Sequence, residues 1–291
     1  MIVNLSSFKH ELSIQKVDCF SSYPEHIHDF IEMLIITKGS GVQLINGKEI
    51  QVKSGEVYVI NKGDSHGFRE RTKLANYLLR FPAEILLSCG REIKQIPGFQ
   101  ALFIVGPASS KNEEGLYRLV LDAHDLNVVE EMLISMEIEF KKAHAGFESA
   151  LRASLINLVI FLSRAVKNKS IIDGTPNQIY HLANAVAFFE KNYAAKINIA
   201  KLAKDSFLSE RQFRRVFRQH YMISPLEYLL RVKIQNSLEL LQLSDKSVAE
   251  IALTCGFYDG SHFTRQFTSV MGITPLEFRR STQQHKAINL L

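Results

Sequence analysis

From Cys19 to about Phe81 the apolar residues come in short runs, IEMLIIT, GVQLI, KEIQV and EVYVI, separated by KGSG, NGK and KSG. Such runs bounded by glycine-containing breaks predict β-strands. Asn46-Gly47 is the strongest hairpin signal among them, because both residues tolerate the positive φ of a tight primed turn. The even spacing predicts a small antiparallel sandwich or barrel. Beyond Glu113 the period changes. Leu126, Val129, Leu133, Met136 and Phe140 recur at steps of three and four, as do Leu151, Leu155, Leu158 and Leu162, which predicts two helices after the barrel. This spacing serves a barrel cover and a dimer seam equally well.

The polar stretch KNKSIIDGTPNQ, with Gly174 and Pro176, then breaks the helical pattern as a linker does. A chain of 291 residues exceeds what one core usually serves, so two domains are expected: residues 1–167, a linker at 168–177, and a second domain at 178–285. Charge divides at the same place. From residue 178 onward 15 Lys+Arg stand against 9 Asp+Glu, a net +6, leaving 20 against 21, a net −1, before it. The asymmetry points to a polyanionic partner for the second domain. No apolar stretch approaches the ~20 residues of a membrane span, and the N-terminus lacks the apolar core of a signal peptide, so no membrane partner and a cytoplasmic location are expected. Cys19, Cys89 and Cys255 are scattered and form no C-x-x-C pair, which argues against a disulfide framework or a zinc-thiolate site.

After a helix expected at about Gln178 to Tyr193, the stretch INIAKLAKDSFLSERQFRRVFRQHY holds two apolar-periodic pieces with a break around Phe207 to Ser209. Ser209 is placed to cap the second piece. Leu202, Ala203, Leu208, Phe213, Val216 and Phe217 would pack the pieces together, leaving Arg211, Arg214, Arg215 and Arg218 on the other face, where guanidinium groups suit a major groove of double-stranded DNA. About fifty residues on, SVAEIALTCGFYDGSHFTRQFTSVMG repeats the arrangement, with Ser247 and Glu250 as a capping box, Gly256 in the turn and Asp259 starting the second helix. The connecting helix, PLEYLLRVKIQNSLELLQLS, would span roughly 30 Å at ~1.5 Å per residue, close to the ~34 Å of one DNA turn.

Ala252-x3-Gly256-Phe257, then Ser261, Phe263, Arg265, Phe267, Gly272, Thr274-Pro275, Phe278 and Arg279, closely resemble the signature of the AraC/XylS transcriptional regulators. The resemblance covers about Gln178 to Arg280. Pro225, Tyr228, Arg231, Leu240 and Leu241 fit its connecting helix, and Ser237 departs from the usual alanine. It implies base-reading residues at Arg211, Arg214 and Arg215 in the first unit and at Asp259, Ser261, His262 and Arg265 in the second. Gly260 stands where a contacting side chain is common, so the second unit is expected to read fewer bases.

In the first domain, His26-x-His28-x3-Glu32-x6-Gly39 and Gly55-x5-Asn61-x-Gly63-x2-His66 resemble both halves of the cupin barrel signature. The resemblance makes His26, His28, Glu32 and His66 the positions that hold metal in metal-dependent cupins. Three uses stay open: a divalent metal, direct polar contact with an organic effector, or a structural network. Asn61 replaces the usual proline of the second half, and the downstream features of enzymatic cupins are indistinct. The fold class expected is therefore α+β in two domains, a cupin-like β-barrel with two following helices and then an all-α tandem helix-turn-helix domain. YPEHIHDFIEMLIITKGSG resembles the rhamnose-responsive activators within the family. This implies a homodimeric activator of a sugar catabolic operon, not an enzyme, that needs no obligatory cofactor and acts through RNA polymerase. Tyr58, Tyr77 and Arg80 are further candidate effector contacts on the strands. The alternative is a metal-dependent cupin enzyme with an appended DNA-targeting module.

Overall fold

The computed structural model describes residues 3–5, 11–19, 22–109, 118–166 and 176–288. Most of the expected linker, 168–175, lies outside the described residues. By contact density the chain divides into Met1–Asn184 and Ala185–Leu291, a division that falls inside a helix.

The first unit is built on one eight-stranded sheet: β1 (Val3–Leu5), β2 (Ser13–Cys19), β3 (Tyr23–His28), β4 (Ile31–Ile45), β5 (Lys48–Lys53), β6 (Glu56–Ile60), β7 (His66–Phe81) and β8 (Leu119–Val120). The long strands β4 and β7 pair with each other antiparallel. One edge of β7 takes β3 near its start and β2 farther on, while the other edge of β4 takes β6 and then β5. Each long strand thus serves two layers, which gives the cupin-like shell. The β4–β5 connection is the two-residue turn expected at Asn46-Gly47, with φ of 48° and 75° and Ile45 paired to Lys48.

KGSG is not a hairpin. β4 runs through it, with register shifts between Ile36 and Lys38, Lys38 and Ser40, and Val42 and Gln43. Bulges bend a strand and change which face its side chains meet, so odd-numbered Ile45 joins even-numbered Leu34 and Ile36 in one core with Val52, Tyr58, Ile60, Phe68 and Leu74. The segment after β7 forms short helices, α1 (Ala83–Leu87), α2 (Arg91–Lys94), α3 (Pro97–Phe99), a π-helical turn at Gln100–Val105 and α4 (Gly106–Ser109). Their apolar residues follow no single period, so the sequence pattern does not announce them. The two long helices do appear, as α5 (Ala123–Lys142) and α6 (Phe147–Ala165). They pack together through the predicted stripes, burying Val129, Leu133 and Met136 against Leu151, Leu155, Leu158 and Leu162.

In the second unit, α7 (Pro176–Asn192), which crosses the division, precedes α8 (Ile199–Asp205), α9 (Glu210–Tyr221), α10 (Pro225–Leu243), α11 (Val248–Thr254), α12 (Gly260–Met271) and α13 (Pro275–Ile288). Helices α8–α9 and α11–α12 are the two expected helix-turn-helix pairs. The first is sealed by Phe189, Phe213, Phe217, Tyr221 and Tyr228, whose rings meet at centroid distances of 4.7–6.2 Å. The second is sealed by Ile234, Leu241, Ile251, Ala252, Cys255, Phe257, Phe263 and Phe267. α10 contributes to both. Ser237 on α10 is fully buried, and its hydroxyl donates to the Ile234 carbonyl at 2.7 Å, which explains why serine is tolerated where alanine is usual. Cys89 and Cys255 are both buried. No helix among the described residues is long and apolar enough to cross a membrane.

Candidate functional site

Two places in the molecule collect polar side chains that the fold alone does not require. The first is a cavity of about 240 Å³ inside the first unit, lined by Gln15, Val17, Tyr23, His26, Glu32, His66, Gly67, Phe68, Asn76, Leu78 and Arg80. Strand register brings its polar groups together: His26 on β3 stands opposite His66 on β7, and Glu32 on β4 stands opposite Arg80 on β7. The Arg80 Nε–H donates to Glu32 Oε2 at 2.8 Å, and Glu32 Oε1 lies 3.5 Å from His66 Nε2. The His26 and His66 rings are 4.2 Å apart, and those of His28 and His66 5.0 Å.

Burial dominates the electrostatics of this cluster. It holds the His66 imidazole well below its ordinary pKa, with the neighbouring His26, His28 and Arg80 pushing the same way. Burial also lowers His28, against a smaller upward pull from Glu32. Both rings are therefore neutral at neutral pH. A backbone carbonyl only accepts, so the 2.8 Å contact of His28 Nδ1 with Phe30 O and the 3.2 Å contact of His26 Nδ1 with Pro24 O put the proton on Nδ1 in each. Nε2 of His28 is left as a buried lone pair with no hydrogen-bond partner among the described residues. Donor atoms of His28, Glu32 and His66 lie within 4.8 Å of one another. His28, Glu32 and His66 fit a divalent transition metal, with the Phe30 carbonyl orienting the His28 imidazole; the donor set does not choose among Zn, Fe, Mn, Cu and Ni.

The remaining predicted contacts separate. Arg80 lines the cavity, whereas Tyr77 points to the opposite face, because residues three apart on a strand face opposite ways. Its hydroxyl donates to Glu137 of α5 at 3.4 Å, and burial followed by Glu137 pushes its pKa up to about 12. Tyr58 is inside the shell but away from the cavity, packed in the core with its hydroxyl donating to Glu56 at 2.8 Å. Asn76, Phe68 and Tyr23 line the cavity and were not anticipated. The alternation that places Arg80 also places Asn76 and Leu78, so that signal was available.

The second place is the exposed side of the helix-turn-helix pairs. Ser209 and Gln212 form a capping box at the start of α9, and Ser247 and Glu250 form another at α11. Phe213, Val216 and Phe217 turn inward, which leaves Arg211, Arg215 and Arg218 exposed. Arg214 is half-buried and donates twice to Glu210, at 2.7 and 2.9 Å, an i,i+4 pair that holds its guanidinium along the helix. On α12, Ser261 and Arg265 are exposed. Asp259 is the N-cap, its carboxylate accepting from the His262 N–H at 2.7 Å, while the His262 ring is half-buried 5.8 Å from Phe257.

Residues 20–156 match the family model described as an AraC-like ligand binding domain, and residues 202–281 match one described as a helix-turn-helix domain. The HTH-type transcriptional activator RhaS of Escherichia fergusonii is 28% identical over 261 residues, 89% of this chain and 88% of that protein. RhaS of Enterobacter sp. strain 638 is 26% identical over 264 residues, 89% of this chain and 88% of its own length. Among solved structures, an AraC-type transcriptional regulator from Chromobacterium violaceum is 33% identical, covering 36% of this chain and 93% of that one, with a TM-score of 0.34. With a ligand-binding shell followed by two capped helix-turn-helix pairs, and with both family models matched in that order, the chain belongs to the AraC/XylS family of effector-responsive, DNA-binding transcriptional regulators.

Proposed function

We propose that this chain is a cytoplasmic, homodimeric activator that responds to a small polyhydroxylated molecule, a sugar, held in the cavity of its first unit. The observation that carries this reading is the convergence of His26, Glu32, His66 and Arg80 on one small cavity beside the rings of Tyr23 and Phe68. Imidazole nitrogens, a carboxylate that accepts and a guanidinium that donates together complement vicinal hydroxyls. At about 240 Å³ the cavity is below the ~300–1,000 Å³ usual for drug-sized ligands, which favours a monosaccharide. The relatives are named transcriptional activators, which supports the activator part of this reading. The buried donors of His28, Glu32 and His66 favour a second reading in which a divalent metal sits between protein and hydroxyls. In neither reading does the shell turn over its ligand.

A thermal-shift screen of monosaccharides tests this. A ligand at 100 times its Kd stabilises the state that binds it by ~2.7 kcal/mol, an increase of about 5–10 °C in the melting of a unit this size. The shift should vanish in Glu32→Gln. Its loss on adding EDTA would assign a metal bridge, and its persistence direct contact. A panel that shifts nothing sinks the sugar.

The proposed DNA contacts are Arg211, Arg214, Arg215 and Arg218 on α9 and Asp259, Ser261, His262 and Arg265 on α12. α9 and α12 would enter successive major grooves. Arg215→Ala should weaken specific binding by about 1–3 kcal/mol if it reads a base; a lower salt dependence with unchanged sequence preference would make it a phosphate contact. Ile134 and Ile138, one turn apart and each 48% exposed on α5, suit the dimer seam. RNA polymerase is the partner through which an activator acts. For control to follow, the sugar must bind the DNA-competent arrangement more tightly than the other.

A further inference from the structure

We propose that Phe207 and Met222, which bracket the first recognition helix, are apolar contacts to double-stranded DNA that add thymine-methyl and deoxyribose recognition to the arginine face between them. The two helix-turn-helix pairs superimpose by their hydrogen bonds. Leu208 N–H donates to Ala203 O and Phe257 N–H to Ala252 O, each at 2.9 Å. Met222 and Gly272 are the C-caps of α9 and α12, each helix having twelve residues. In this alignment Phe207 corresponds to Gly256 and Met222 to Gly272. All four backbones are left-handed, with φ of 56°, 74°, 59° and 76°.

The second pair therefore uses glycine at both positions, as left-handed backbone favours, while the first uses two large apolar residues. They carry two unfavourable features at once. Phe207 is 81% exposed and Met222 79%, and among the described residues only Tyr258, at 87%, is a more exposed large apolar side chain. Tyr258 occupies the longer turn that leads into the other recognition helix. Non-glycine residues held in left-handed backbone cluster at ligand clamps and active sites, and here that backbone carries two side chains turned to solvent.

The neighbouring charge selects the occupant. Met222 shares a surface concavity with Arg214, Arg215 and Arg218, and Phe207 lies just ahead of Arg211. An anionic surface with apolar spots at fixed intervals fits this arrangement, and duplex DNA is such a surface. Residues near the N-terminus of a recognition helix meet base edges, so Phe207 is assigned to a thymine methyl. Met222, at the far end of a helix ~18 Å long, is assigned to the sugar face between phosphates held by arginine.

The inference rests on the DNA-binding reading, and the test separates the two. A duplex is selected in vitro with the full chain, and binding is followed by fluorescence anisotropy. Phe207→Gly and Met222→Gly keep the left-handed backbone, so both variants should melt no lower than the parent protein. Each is expected to bind the selected duplex about tenfold more weakly, with an unchanged salt slope because no phosphate contact is lost. Exchanging single thymines for deoxyuridine should reproduce the Phe207→Gly loss at one position in the parent and add nothing there in the variant. Parent-like affinity with a parent-like deoxyuridine profile in both variants overturns the inference. So does intact DNA binding with lost transcription activation, which would assign these side chains to a protein partner. If the parent protein selects no duplex, the DNA-binding reading falls first.

Discussion

Gly256→Ala is expected to destabilise the second helix-turn-helix unit by roughly 2–5 kcal/mol and, through it, to abolish binding to any operator that needs both units. Two costs add. A non-glycine residue in left-handed backbone costs about 1–2 kcal/mol, and Gly256 has φ of 74°. Overpacking costs a further ~1–3 kcal/mol. A Cβ here would lie 2.1 Å from the Ala194 carbonyl oxygen and 2.6 Å from its carbon, both backbone atoms that no rotamer change can move away. The same turn is tied to α10 by Lys233, whose ammonium donates to the Gly256 carbonyl at 2.6 Å, so displacement of the turn disturbs the helix that links the two units. Gly272→Ala is the control. It shares the left-handed backbone, with φ of 76°, but a Cβ there meets nothing within 4 Å, so about 1–2 kcal/mol is expected. Urea denaturation of the full chain measures both; equal effects would show that the Ala194 contact is unimportant.

Glu56→Ala should cost the first unit about 3–5 kcal/mol, the loss usual when one partner of a buried ion pair is removed. Glu56 is fully buried at the start of β6. Its Oε1 lies 3.2 Å from Arg118 Nε, and its Oε2 accepts from the Tyr58 hydroxyl at 2.8 Å and the Lys53 N–H at 3.0 Å. Alanine removes the acceptor from all three, and the Arg118 guanidinium beside it stays largely buried. Burial and the adjacent carboxylate also push the Tyr58 phenol up, so it remains a donor throughout the physiological range. Tyr58→Phe removes one bond to a charged group and should cost ~1.5–3 kcal/mol. Effector affinity measured well below the melting temperature should be unchanged in Tyr58→Phe, because this side chain is outside the cavity. A weakened effector response there would restore Tyr58 as a contact, and a parent-like melting temperature in Glu56→Ala would remove the ion pair from the account of stability.

The helix-turn-helix pairs were legible because their signals are local. Ser209 with Gln212 and Ser247 with Glu250 lie three residues apart, the spacing at which a side chain reaches backbone N–H groups of its own first turn. The arginines follow from helical period alone, and so does the tie between Arg214 and Glu210, one turn back. The shell was less legible. KGSG reads as a hairpin turn, yet it is a run of bulges inside β4, because a bulge and a turn draw on the same residues and only the partner strand distinguishes them.

A resemblance to the cupin signature grouped His26, His28, Glu32 and His66; the amino-acid order alone determined that a strand-rich part precedes the helices, where α9 to α12 start, and which face of α9 is basic. These follow from interactions within a few residues or from strict periods. Tertiary structure decided which of those groups share a cavity: it set Glu32 opposite Arg80, turned Tyr77 away, and added Tyr23, Phe68 and Asn76. It also decided that Gly256 is pinned by Ala194 while its counterpart Phe207 has room for an aromatic ring. The physical reason is that register and close packing depend on residues tens of positions apart, whose meeting no local pattern encodes.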